Sequence, residues 1–231
     1  PDEAITEAVH SHSELLWWSE DKSYIGLKSQ RYLSENIAKH LIRIRNADTE
    51  IICKNNWLND IQHLEHRQGW SFTEEQLEGI KTILSNNVVV ITGGAGTGKS
   101  SLVSGMLEVL RDCSYVQCAL SGRASSRMSE ITGVEGYTIH RLLGYPCFAE
   151  GNKNGFNYHD NNPLPYDIII VDEISMVDAQ LFYYLIRSIN DGSKLILLGD
   201  TNQLESIGSG NIAYDMINSQ EIPTVALTKI H

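Results

Sequence analysis

The chain has 231 residues, 42% of them apolar, and a net charge of −11 from 18 Lys plus Arg against 29 Asp plus Glu. That length holds one large domain, or an ordinary domain with a smaller companion, around a real core. The charge excludes a general polyanion binder, so any nucleic-acid contact must rest on a local basic group. Cys53, Cys113, Cys118 and Cys147 show neither CxxC spacing nor a partner histidine pattern. They read as reduced, mostly buried thiols of a cytoplasmic protein rather than as a disulfide framework or zinc site. The longest apolar runs, Val88–Ile91, Ile168–Val171 and Leu195–Leu198, are strand-sized, so no membrane span is expected. No signal peptide is visible, and the start at Pro1 without Met is that expected of a piece of a longer or processed chain.

Residues 1–68 differ from the rest. Leu15–Trp18 and Tyr24–Leu27, separated by a polar stretch, predict a short hairpin. Leu33, Ile37, Leu41 and Ile44 then recur at helical spacing, and Trp57, Leu58, Ile61 and Leu64 predict a second helix. Hairpin and helices together suggest a small helical, winged-helix-like module. It lacks a basic face, so a packing or protein-contact role is favoured over DNA binding.

Residues 69–231 alternate strand and helix. Strands are predicted at Val88–Thr92, Tyr115–Leu120, Asp167–Asp172, Lys194–Gly199 and Thr224–Leu227, and helices over about 73–85, 99–111, 122–132, 178–190 and 210–219. Such βαβ alternation means an α/β domain with a mostly parallel sheet flanked by helices, whose ligands bind at the carboxyl ends of the strands. Pro146–Pro165 reads as a long surface loop or irregular hairpin.

Chemistry concentrates at those strand ends. Gly93, Gly94, Ala95, Gly96, Thr97, Gly98, Lys99 and Ser100 match the phosphate-loop pattern, directly after an apolar strand and before a helix that continues through Ser101. Backbone N–H groups and a helix N-terminus then aim at one point, which is an anion site. Lys99 would neutralise the β- and γ-phosphates of a nucleoside triphosphate, and Ser100 would hold Mg²⁺. Ile168–Val171 delivers Asp172 and Glu173 to another strand end: Asp172 for Mg²⁺, Glu173 to orient and deprotonate the attacking water. Gln76, three residues after Thr73, completes a capping box, or instead pairs with both edges of adenine. Ser121, Arg123, Arg127, Thr138 and His140 form the densest basic and hydroxyl group outside residues 1–68, read either as solvated surface or as contacts to single-stranded DNA. His140 reads equally as a buried, hydrogen-bonded histidine. Gln203 is placed to sense the γ-phosphate, with a loop cap as the alternative.

The order FTEEQ, GGAGTGKS, SGRASSRM, TIHRLLGY, NPLP, IIIVDEISMVD, GDTNQLESIGSGN, ALTKIH resembles the RecD-like ATP-dependent DNA helicases, the 5′-to-3′ branch of superfamily 1. The match is dense over residues 72–231 and looser over 4–68. The resemblance implies a RecA-like motor domain, ATP with Mg²⁺, and single-stranded DNA as partner. It implies adenine recognition by Gln76, the roles above for Lys99, Ser100, Asp172 and Glu173, phosphate sensing by Gln203, and a DNA path bordered by Ser121–Arg123 and Thr138–His140. Leu120-Ser121 stand where the family usually has Pro-Thr, and Glu205 where it has Pro. The family continues past His231 into an Arg-Gln motif and a second motor domain, so a monomeric fragment with weak nucleotide hydrolysis and no unwinding is expected. Two other readings stay open: a phosphate-loop ATPase switch that does not translocate, and a non-enzymatic interaction module acting through residues 1–68.

Overall fold

A computed structural model describes residues 11, 13–21, 23–49, 51, 56–146, 155–200 and 211–229. Its centre is a six-stranded, all-parallel sheet of β3 (Val88–Gly93), β4 (Tyr115–Ala119), β5 (Gly136–Thr138), β6 (Ile168–Asp172), β7 (Lys194–Gly199) and β8 (Thr224–Leu227), ordered β5-β4-β6-β7-β3-β8. The central strands β3, β6 and β7 are buried on both faces, which is why Val88–Ile91, Ile168–Val171 and Leu195–Leu198 read as unbroken apolar runs. Side chains alternate across the sheet. Val88 and Val90 join one core with Ile169, Val171, Leu195 and Leu197, while Val89 and Ile91 join the other with Ile168, Ile170, Ile196 and Leu198.

Helices cover both faces. They are α1 (Lys28–Asn46), α2 (Trp57–Gln68), α3 (Glu74–Ser85), α4 (Lys99–Val109), α5 (Gly122–Thr132), the short α6 (Ile139–Leu142), α7 (Ala179–Arg187) and α8 (Ile212–Ser219). α4 and α7 end earlier than expected, at Val109 and Arg187, because the last residues of each run turn out of the helix. β5 and α6 were not expected from the sequence: three and four residues carry no readable period.

β1 (Leu16–Trp18) and β2 (Ile25–Leu27) form the expected antiparallel hairpin. Asp21 holds its turn by accepting from the Ser19 and Ser23 hydroxyls, which lowers its carboxyl to about 2. The two helices after it pack on opposite faces of the sheet. α1 buries Leu33, Ile37, Leu41 and Ile44 in the core that holds Phe182, Leu185 and Ile186 of α7. Arg43 donates to the carbonyls of Ile186 and Ile189, and Asn87, just before β3, donates to those of Ile44 and Ala47. α2 puts Ile61 into the other core, and Arg67 pairs with Glu108 of α4 at 2.8 Å. A winged-helix-like unit would share one core, whereas here each helix feeds a different face of the sheet.

Part of the 146–165 segment also differs from a surface loop. Phe156 and Leu164 are buried in the α7-side core, the Asn157 amide donates to the Leu143 carbonyl at 2.9 Å, and His159 and Asn162 form an isolated antiparallel bridge. Cys113 and Cys118 are free thiols, and burial pushes Cys118 up to about 12. Cys53 and Cys147 lie outside the described residues. Among the described residues no helix is long and apolar enough to cross a membrane.

Candidate functional site

The carboxyl edge of the sheet gathers the chemistry, and the strand order sets its layout. β3 leads into a turn in which Gly96 and Gly98 have φ of +79° and +84°. An L side chain at either position costs about 1–2 kcal/mol, so glycine there fixes the loop's shape. The Thr97 hydroxyl closes the turn by donating to the Gly94 carbonyl at 2.9 Å. Lys99 opens α4 and folds back over the loop, its Nζ donating to the carbonyls of Gly93 and, at 2.9 Å, Gly94. Burial pushes its pKa down, opposed by the nearby carboxylates of Asp200 and Asp172. An ammonium held this way is already drawn partly out of water beside the loop.

Of the two readings of Gln76, the structure shows the helix cap. It completes the capping box with Thr73, accepting from the Thr73 amide at 2.9 Å, and its Nε2 donates to the Gly98 carbonyl at 3.2 Å. The helix cap is therefore present, and the same side chain, 2% exposed, ties α3 to the phosphate loop while facing its cavity.

Two strands away, Asp172 ends β6. Its Oδ1 accepts the Glu173 amide at 2.9 Å. Glu173 is one of two described non-glycine residues in the left-handed region, at φ 54°, ψ 40°. Strain of about 1–3 kcal/mol at such a position persists where surrounding structure enforces it. Burial raises the pKa of both carboxyls: a backbone bond and the charges of Lys99 and Arg127 oppose this at Asp172, and the Asp172 charge adds to it at Glu173. A raised carboxyl is a better proton acceptor near neutrality than an ordinary one.

Between these groups lies a cavity of about 540 Å³, a size that suits a nucleotide. Gly94, Ala95, Gly96, Thr97, Gly98, Lys99, Ser100 and Ser101 line it with Asp172, Glu173 and Gln76. Gly93, expected among them, takes no part in the lining and contributes its carbonyl to Lys99. Among the described residues no group of three His, Cys, Asp or Glu side chains is arranged to hold a metal. The oxygens of Ser100 and Asp172 alone suit an ion such as Mg²⁺, which keeps waters and shares a substrate's phosphates.

The residues expected at DNA sit beside this cavity. β4 pairs with β5 and β6, with Ala119 opposite both Thr138 and Asp172, so Ser121 and Thr138 leave neighbouring strand ends next to the acidic pair. Both hydroxyls cap helices: Ser121 accepts the Ala124 amide, and Thr138 the Arg141 amide, each at 3.2 Å. Arg123 is exposed. His140 is exposed too, rather than buried, with its ring 5.8 Å from Tyr145 and 6.0 Å from Phe156. Arg127, grouped with Arg123 by its helical spacing, instead lines the nucleotide-sized cavity. Gln203 and Glu205 lie outside the described residues.

Nine further lining residues were not named from the sequence as site residues, Asp200, Trp70 and Ile131 among them. Asp200 directly follows β7, as Asp172 ends β6, and the Gly199-Asp200 turn is legible as a strand end though not as a site residue. Trp70, 44% exposed and 5.0 Å from the Phe72 ring, and Ile131 form an apolar wall that no motif marks.

The comparisons agree with this architecture. A family model described as an AAA domain matches residues 76–209. The chain is 35% identical over 167 residues to the ATP-dependent RecD2 DNA helicase of Deinococcus radiodurans, covering 71% of this chain and 22% of that protein. It is 31% identical over 169 residues to the RecBCD enzyme subunit RecD of Mycolicibacterium smegmatis, covering 62% of this chain and 30% of that one. The chain thus spans about a quarter of the length of these relatives. A double mutant of the Pif1 helicase from Bacteroides shares the fold, with a TM-score of 0.50 and 22% identity over 71% of this chain and 43% of that one. With its phosphate loop and acidic pair on one parallel sheet, the chain belongs to the AAA domain family and, within it, is similar to the RecD-type helicases.

Proposed function

We propose that this chain is an ATP-binding motor domain of a 5′-to-3′ DNA helicase, holding Mg·ATP in the cavity and the backbone of single-stranded DNA beside it. The observation that carries the reading is the convergence of Lys99, Asp172 and Glu173 on one cavity of about 540 Å³, with Ser121 and Thr138 at the adjoining strand ends and Arg123 and His140 in the first turns of the helices they cap. Its similarity to an ATP-dependent RecD2 DNA helicase and to a RecBCD enzyme subunit RecD supports it, and polarity rests on the sequence resemblance alone.

In this reading Lys99 leaves the Gly93 and Gly94 carbonyls for the β- and γ-phosphates, and the loop amides take the remaining oxygens. Ser100 and Asp172 hold Mg²⁺, which when bound draws charge from the phosphates. Glu173 orients a water in line with the γ-phosphate and accepts its proton at the carboxylate, for which its raised pKa suits it. Gln76 reads the adenine edge while gripping Gly98, which links base recognition to loop shape. Gln203 senses the γ-phosphate. Ser121, Arg123, Thr138 and His140 donate to DNA phosphates, the helix-capping hydroxyls through their own protons. Residues 1–68 offer a protein-contact surface, and the setting is cytoplasmic.

The test is anisotropy of a labelled oligo(dT) titrated with the chain, with and without Mg·AMP-PNP. Binding that weakens in Arg123→Ala and changes with nucleotide is expected. Binding of nucleotide without any DNA binding would favour the non-translocating ATPase, in which Ser121 and Thr138 serve only as helix caps.

A further inference from the structure

The two arginines of α5 lie one turn apart, and the fold separates their surroundings. α5 leaves the end of β4, which pairs with β6, so its inner face looks across at the Asp172–Glu173 turn. Met128 anchors that face in the core shared with Leu102 and Val103 of α4. Arg127, Met128, Ile131 and Thr132 of this helix line the cavity together with the phosphate loop. Arg123 is not part of that lining.

We infer that Arg127 is a cation for the γ-phosphate, supplied by this same domain, rather than a contact to the DNA backbone. This rests on the reading of the cavity as a nucleotide site. Three observations support it. Arg127 lines the cavity that holds Lys99 and the acidic pair. Its positive charge acts on Lys99, Asp172 and Glu173, the three groups around the triphosphate's reacting end. Among the described residues it forms no ion pair within 4 Å, although two carboxylates lie in its field. A guanidinium fork on the cavity wall, with carboxylates near but not bonded, is arranged for an anion that arrives between them. A diphosphate leaves that position empty and a triphosphate fills it.

The test is calorimetric titration of the chain with Mg·AMP-PNP and, separately, Mg·ADP, for the unaltered protein, Arg127→Gln and Arg127→Lys. Arg127 is exposed, so both variants are expected to fold, which circular dichroism checks. Arg127→Gln should weaken Mg·AMP-PNP about tenfold or more, the loss expected of one charge-assisted hydrogen bond to phosphate, and Mg·ADP by less than about twofold. Arg127→Lys should recover part of the triphosphate affinity. If Arg127→Gln binds both nucleotides as the unaltered chain does, or loses both equally, the inference fails while the nucleotide site stands. If the unaltered chain binds neither nucleotide, the reading beneath it fails as well.

Discussion

Lys194 starts β7 at 1% exposure, and its ammonium donates to three carbonyls at the end of α3: Ile83 at 3.1 Å, Leu84 at 3.3 Å and Asn86 at 2.9 Å. A helix leaves its last carbonyls without intrahelical partners and carries partial negative charge there, so a buried cation is a cap. The same helix carries Gln76 at its other end, so Lys194 fixes the helix that grips the phosphate loop. Replacing it with Met keeps most of the volume and leaves those carbonyls without the cation. Hydrogen bonds to a charged group contribute about 1.5–3 kcal/mol each, and they do not add fully. Relief of the buried ammonium's desolvation returns part of the sum. A net loss of about 2–4 kcal/mol follows, a large share of an ordinary domain's 5–15 kcal/mol or so. In urea, with a slope of about 2–3 kcal/mol per M, the midpoint should fall by roughly 1 M at unchanged slope. Lys194→Ala should fall further, since it adds a cavity. A Lys194→Met midpoint within about 0.2 M of the unaltered chain would refute the capping argument.

Two further outcomes follow from the site. Because burial raises the folded pKa of Asp172 and Glu173, the folded chain holds more protons than the unfolded chain between the two pKa values, so stability falls as pH rises through that window. Asp172→Asn and Glu173→Gln should therefore melt no lower than the unaltered chain at pH 7, with any advantage vanishing below about pH 4; a lower Tm at pH 7 for both variants would contradict the burial argument. Gly98→Ala should cost about 1–2 kcal/mol in urea unfolding, because φ of +84° disfavours an L side chain, and it should weaken Mg·AMP-PNP by turning the loop amides away; a variant unchanged in both measurements would show that the loop does not need that conformation.

The central strands β3, β6 and β7 were legible because each is buried on both faces and so carries an unbroken apolar run. β5 escaped because Gly136–Thr138 is short and only half-buried. Lys99, Asp172 and Glu173 were legible because a motif or an acidic pair at a strand end fixes both the residue and its direction. Arg127 was not: spacing puts it on a helix face with Arg123, but what lies across from that face depends on β4 pairing with β6, which is a long-range fact. The same limit applies to Leu33–Ile44 and Ile61. Their period announces a buried stripe, and nothing local says that the two stripes meet opposite faces of one sheet. The helix-capping roles of Ser121 and Thr138 were readable in principle, since each precedes a helix.

The account's central claim is that the cavity beside Lys99 is a nucleoside triphosphate site. Calorimetric titration of the chain with Mg·AMP-PNP, alongside Lys99→Ala, measures it directly. Saturable one-site binding by the unaltered chain, weakened about tenfold or more in a Lys99→Ala protein that remains folded, is the predicted result. No saturable binding, or binding undiminished by Lys99→Ala, would contradict it.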